Sequence, residues 1–415
     1  MCINYPIAIF LSSENTEILF VIFIIFLAAK LSAELFERLK QPAVVGEILA
    51  GVLIGPSVLA IVKQTDLTKV LAEIGVILLL FTVGLEIKPK ALFQVGGRAL
   101  LVAVLGIIVP FFAGWGLLAL WGKPTIEAFF LGAAMVATSV GITARVLASL
   151  NVLNTQTSQI IMGAAVIDDI LGLLILSVVS SMAKGSINYK ELALTAFLSI
   201  GFTFFMIFLG AKIVNKTRPT VERLKIGDAF FIVGLVICLG LSFLASYVGV
   251  AAIIGSFLAG MALSEFSEDT NLHNKSGAVM EFLLPFFLVG IGLQLDLSVF
   301  KDTNVIVLTL LATLVAVITK LVGCGLAALS LGRQQALQIG VGMVPRGEVG
   351  IIVAQIGLSL GVMSSALYGV VVFMAIATTL IAPPFLVVLF KESKNVLTDE
   401  TTEVVDSDKK LSVIE

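Results

Sequence analysis

Residues 163–174 read GAAVIDDILGLL, with two consecutive carboxylates, Asp168 and Asp169, inside an apolar run from about 160 to 182. As a helix, such a run spans the roughly 30 Å hydrocarbon layer of a bilayer. One aspartate at the centre of such a helix costs on the order of 3 kcal/mol on insertion scales, and a second costs more. A span that only had to be apolar would carry neither. The structural alternative is a pair of acids in a loop or a polar contact between helices. The absence of a turn signal and the apolar flanks on both sides weigh against it. What remains is a membrane-embedded cation or proton site.

Composition agrees with a membrane chain. Of 415 residues, 59% are hydrophobic and only 13% are charged, against about 25% charged in a soluble domain. A net charge of −2 gives no nucleic-acid character. His273, the single histidine, lies in a polar stretch read as a loop, so no histidine-based metal site or triad can be assembled. Cys2, Cys238 and Cys324 have no metal-ligand or CxxC spacing, and the last two are read as packing residues. No basic segment followed by a cleavage site opens the chain, so no cleaved signal peptide is expected.

About thirteen apolar segments follow one another, near 17–37, 43–62, 70–87, 98–121, 126–149, 156–183, 191–215, 226–248, 250–264, 277–296, 303–331, 334–357 and 363–390. The eighth and ninth also fit one bent unit. After Lys391 the tail, 391–415, is polar and acidic, and is expected to be disordered and cytoplasmic. One set of loops carries Arg38, Lys40, Lys88, Lys90, Arg98, Lys216, Arg218, Arg223, Lys225, Lys275 and Arg333. The other carries Lys63, Lys69, Lys123, Lys184, Lys190 and Lys301. This bias puts the N-terminus outside and the C-terminus in the cytoplasm.

Further ionisable residues lie within the spans. Lys320, in VAVITKLVGCGLAAL, is too deep to snorkel and needs a partner, for which the aspartate pair is the obvious choice. Arg346 and Glu348, in GMVPRGEVGIIVAQIGL, are read as supporting polar core residues that pair with each other or with other acids. Arg145 is nearer a helix end, and Glu73 is either interfacial or a structural partner. Two segments predict interrupted helices: 137–144 (ATSVGITA), with Thr138 and Ser139, and 344–350 (VPRGEVG). Each is the middle member of a helix triplet, and the two triplets enter from opposite sides, as in an inverted repeat. Hydroxyl and carbonyl oxygens at such breaks suit a hard cation such as Na⁺.

AAVIDDILGLL, ATSVGITARVL, FLVGIGLQLD, the Lys320 segment and PRGEVGIIVAQIGL together resemble the second cation:proton antiporter superfamily. QPAVVGEILAGVLIGPSVL and EIGVILLLFTVGLEI fit as well, and within the superfamily the chain looks most like the NapA-type Na⁺/H⁺ antiporters. The resemblance implies an all-α polytopic fold of about thirteen helices with two crossing discontinuous helices. It implies a dimerisation domain, a mobile core and a homodimer. It makes Asp169 the principal ion and proton carrier, pairs Asp168 with Lys320, and puts Thr138 and Ser139 at the crossing. The Kef-type potassium branch typically has Gln-Asp, where this sequence has Asp-Asp, and a nucleotide-binding domain, so nucleotide gating is not expected.

The expected membrane domain is 1–390, with a core near 98–183 and 303–390 and scaffold helices near 17–87 and 191–296. The expected activity is exchange of Na⁺, with Li⁺ as a second substrate, for H⁺ in the cell membrane. An elevator-type motion, two protons per sodium and ion ligation by Asp168 and Asp169 complete the expectation. Two acids and a lysine this close titrate as one coupled set, which lets a cation and protons compete. No enzymatic step and no cofactor beyond the transported ions is implied. The alternatives are a K⁺/H⁺ antiporter, or a cation channel or sensor.

Overall fold

The computed structural model describes residues 14–183, 189–266 and 270–411. Every regular element among them is helical. In chain order these are α1 (Glu14–Arg38), α2 (Ala43–Ile54), α3 (Asp66–Glu86), α4 (Pro89–Leu120), α5 (Thr125–Val136), α6 (Val140–Ser149), α7 (Gln156–Ala183) and α8 (Tyr189–Phe205). After a π turn at Met206–Gly210 come α9 (Ala211–Glu222), α10 (Ala229–Tyr247), α11 (Ala252–Leu263), α12 (Leu272–Leu293) and α13 (Thr303–Ala327). The chain closes with α14 (Arg333–Gly342), α15 (Glu348–Ser359) and α16 (Ser365–Leu411).

Local chemistry sets several boundaries. Pro42 and Pro124 precede α2 and α5, and Pro89 opens α4. Proline is at home at a helix start, where its missing N–H would lack a partner anyway. Thr65 and Thr68 form a reciprocal capping box on α3, and the Asp302 side chain caps α13. Gly249, at φ 83°, turns the chain between α10 and α11, so the eighth and ninth segments form two separate helices and not one bent unit.

Among the described residues, nine helices are long and apolar enough to cross a membrane, and four shorter ones are also apolar. Length and hydropathy alone therefore do not return thirteen crossings. Large apolar side chains such as Leu19, Phe197, Phe243 and Leu310 are exposed on the outside. For a multi-pass membrane protein that surface is the one lipid covers. The tail expected to be disordered continues α16 as helix up to Leu411. Nothing between Lys391 and Leu411 is Pro or Gly, so the already nucleated helix propagates. His273, expected in a loop, is the second residue of α12 and its Nε2 lies 2.9 Å from Glu86 Oε1.

The helices pack in two groups. In one, α3 lies against α11 and α12, α2 against α1 and α12, and α10 against α11. In the other, α4 lies against α5, α7 and α13, while α16 packs on α13, α14 and α15. Glycines bring the backbones of the first group together. A Cβ at Gly84 would lie 2.3 Å from the Phe257 carbonyl, and one at Gly260 2.2 Å from that of Phe81. The groups meet where α6 touches α3 and α2, and where α16 touches α2.

Candidate ion-binding site

Two helices break in the middle of the second group. α5 stops at Val136 and α6 restarts at Val140, and α14 stops at Gly342 and α15 restarts at Glu348. The breaks cross and are stitched together. The Ser139 N–H donates to the Pro345 carbonyl at 2.7 Å. Thr143 Oγ1 donates to the Gly342 carbonyl at 2.7 Å, and Thr138 Oγ1 to that of Met343 at 3.4 Å. Gly347 allows this approach, since a Cβ there would sit 2.7 Å from Ser139 Oγ.

Four helix ends therefore meet in a low-dielectric interior, two with unpaired N–H groups and two with unpaired carbonyls. Buried side chains of the matching sign compensate them. Asp168 Oδ2 accepts from the Thr138 N–H at 2.9 Å, at the start of α6. Arg346 Nη1 donates to the Met343 and Val344 carbonyls at 3.3 and 3.2 Å, at the end of α14. Its Nη2 reaches the Ala316 carbonyl of α13 at 3.1 Å, and its N–H is taken by Thr378 Oγ1 at 3.0 Å.

Lys320 comes from α13 and lies 3.1 Å from both carboxylate oxygens of Asp168. Both side chains are fully buried. The lysine fits because α4 presents Gly106, where a Cβ would lie 3.4 Å from Nζ and 2.6 Å from Cys324 Sγ. Cys324 and Cys238 are buried free thiols. Asp169 follows Asp168 on α7, about 100° further round the helix. It therefore faces a different set of neighbours. With Leu80, Val140, Val166, Ile253, Ile254 and Phe257 it lines a small void, at the junction of the two helix groups. Its exposure is 1%.

A larger cavity of about 540 Å³ approaches the crossing from one end of the molecule. Gln64, Glu73, Gln294 and Phe287 line it, and Arg346 and Gly347 form its inner part. Glu73 thus belongs to the cavity wall. Glu348 is the first residue of α15, and its side chain lies outside the described residues, so its pairing with Arg346 does too. Arg145 is only partly exposed and pairs with Glu281 at 2.7 Å.

Some residues escaped the sequence reading. Thr378 lies inside an apolar run and has no motif around it. Lys30, Glu47 and Glu281 fall within a few turns of span ends and are not singled out in the sequence, although Glu47 is buried.

The transmembrane sodium/hydrogen exchanger family model matches residues 22–392. The chain belongs to this family. The high-affinity Na⁺/H⁺ antiporter NhaS3 of a Synechocystis species is 35% identical over 412 residues, covering 89% of each chain. The Na⁺/H⁺-K⁺ antiporter GerN of Bacillus cereus is 34% identical over 375 residues, covering 89% of this chain and 95% of the other. Among solved structures, the sodium proton antiporter MjNhaP1 of Methanocaldococcus jannaschii matches with a TM-score of 0.66. That match covers 90% of this exchanger-family chain and 99% of the other, at 17% identity, and is a likeness of fold.

Proposed function

We propose that this chain exchanges Na⁺ for H⁺ across the cell membrane, with Asp169 carrying the ion and Asp168, Lys320, Thr138 and Ser139 completing the site. The observation that carries the proposal is the buried Lys320–Asp168 pair at the helix crossing, with Asp169 next to it at the junction of the helix groups. Family membership and the antiporter names of both relatives point the same way.

A carboxylate in this position offers hard oxygen ligands to an alkali ion and accepts a proton when the ion leaves. The second helix group, α4 to α7 with α13 to α16, slides against the first as an elevator and exposes the site to each side in turn. Sodium at the site weakens the Asp168–Lys320 pair and lets Lys320 release a proton. Two protons then move per sodium, and the membrane potential drives the net charge at about 2.3 kcal/mol per charge per 100 mV. The N-terminus is outside, the C-terminus is cytoplasmic, and the protein works as a homodimer. The first helix group supplies the dimer contact.

The second reading is K⁺ transport, which the Na⁺/H⁺-K⁺ name of the Bacillus cereus relative favours. Purified protein in liposomes with an internal pH dye, given Na⁺, Li⁺ and K⁺ in turn, decides between them. A dye response to Na⁺ supports the proposal, and a response to K⁺ alone replaces it with the second reading.

A further inference from the structure

A second cluster of charges lies outside the ion site. Glu281 of α12 accepts from Arg145 of α6 at 2.7 Å, and its other oxygen is 3.6 Å from Lys30 of α1. Lys30 is also 3.4 Å from Glu47 of α2, whose side chain is only 3% exposed. Three of the four residues belong to the first helix group, while Arg145 comes from the second. The pairs Lys30–Glu47, His273–Glu86 and Lys275–Asp228 lie within the first group, and Lys320–Asp168 lies within the second. Arg145–Glu281 crosses between them.

Its position relative to the cavity gives the pair a direction. Cavity-lining Gln64 precedes α3, Gly249 and Val250 connect α10 to α11, and Gln294 follows α12. Those points share one end of the molecule. Lys30 and Glu47 flank the turn between α1 and α2, and Arg145 is in the last turn and a half of α6. Those points share the other end. One end of the group junction is thus open through a cavity, and the opposite end is closed by charges.

We infer that Arg145 and Glu281 form an ionic latch that holds the two helix groups together at the closed end and favours the conformation open at the cavity end. The inference rests on the proposed motion of one group against the other. With Arg145 docked, two acids face two bases. When α6 moves away, Glu281 and Glu47 share Lys30 alone, which leaves one uncompensated negative charge on the first group and a bare guanidinium on α6. The Arg145 side chain is 21% exposed and that of Glu281 46%, so solvent screens the pair in part and it resists opening modestly. Lys30, already within reach of both acids, limits the penalty and keeps the motion reversible. Arg145 and Glu281 are therefore positioning residues for the transport cycle and do not bind the carried ion.

The test reads conformation. Ile352 lines the cavity and is 48% exposed. In a background with Cys2, Cys238 and Cys324 replaced by alanine, Ile352→Cys reports cavity opening through its labelling rate with a bulky polar maleimide on purified protein. Arg145→Ala and Glu281→Ala each lower that rate about threefold or more as the open population shrinks. The charge-swapped double variant, Arg145→Glu with Glu281→Arg, restores it, because coupling between the two positions is what a latch supplies. Unchanged labelling in both single variants overturns the latch, and so does a well-folded swapped variant that labels no faster than the singles. Labelling is indifferent to which ion is carried. A chain that fails Na⁺/H⁺ exchange in liposomes yet shows the swap rescue overturns the exchange proposal and leaves the latch standing.

Discussion

The Ser139 N–H and the Pro345 carbonyl are 2.7 Å apart, which ties the two interrupted helices to each other at their breaks. Because proline has no N–H, this contact can run in one direction only. Gly347 then has to pass Ser139 without a side chain. Gly347→Val is expected to force the breaks apart, since even a Cβ meets Ser139 Oγ at 2.7 Å and Ser139 Cβ at 2.8 Å. Overpacking of this kind destabilises by about 1–3 kcal/mol. A lowered melting temperature together with lost exchange is the expected result, and wild-type melting with wild-type exchange would remove the crossing from the mechanism.

Arg346 neutralises the carbonyl end of α14. Arg346→Ala leaves the Met343, Val344 and Ala316 carbonyls without these donors in the interior. Each buried group left unpaired costs about 1–3 kcal/mol. Strong thermal destabilisation is expected. Arg346→Lys is expected to recover only part of it, because one ammonium does not reproduce a forked guanidinium. Complete recovery by lysine would show that charge alone matters and that the carbonyl contacts do not.

Lys320 separates coupling from bracing. Lys320→Gln leaves Asp168 buried without its partner, and breaking a buried pair from one side costs about 3–5 kcal/mol. Lys320→Gln with Asp168→Asn is expected to regain much of that stability, since no lone charge remains. In the single variant, charge moved per sodium is expected to fall to zero, as one-for-one exchange carries no current. Solid-supported-membrane currents recorded beside a pH dye measure this. An unchanged ratio of charge to sodium would leave Lys320 a structural role only.

Asp168, Asp169 and Lys320 were legible in the sequence because long apolar flanks make a charge conspicuous. The helix breaks were legible because Pro345, Gly347, Thr138 and Ser139 interrupt otherwise regular runs. Lys30, Glu47, Arg145 and Glu281 were not legible as a cluster. Each is close enough to a span end to look solvated, and only the packing of α1, α2, α6 and α12 brings them together. Thr378 was hidden for another reason. Its hydroxyl also donates to the Ala375 carbonyl one turn back, the usual habit of a threonine in a helix. The number of crossings was only partly legible, because α2, α11, α15 and the apolar part of α8 are shorter than a full span, whereas α5 and α6 together make one.

Asp169 bears most of the functional proposal. Asp169→Asn keeps the size of the side chain but cannot exchange a proton for a cation. The decisive measurement is dye-reported Na⁺/H⁺ exchange in proteoliposomes, comparing wild type with Asp169→Asn at equal reconstituted amounts. Sodium-driven proton movement in the wild type and none above empty liposomes in the variant is the expected result. Exchange at the wild-type rate by Asp169→Asn would contradict a carrier role for this carboxylate.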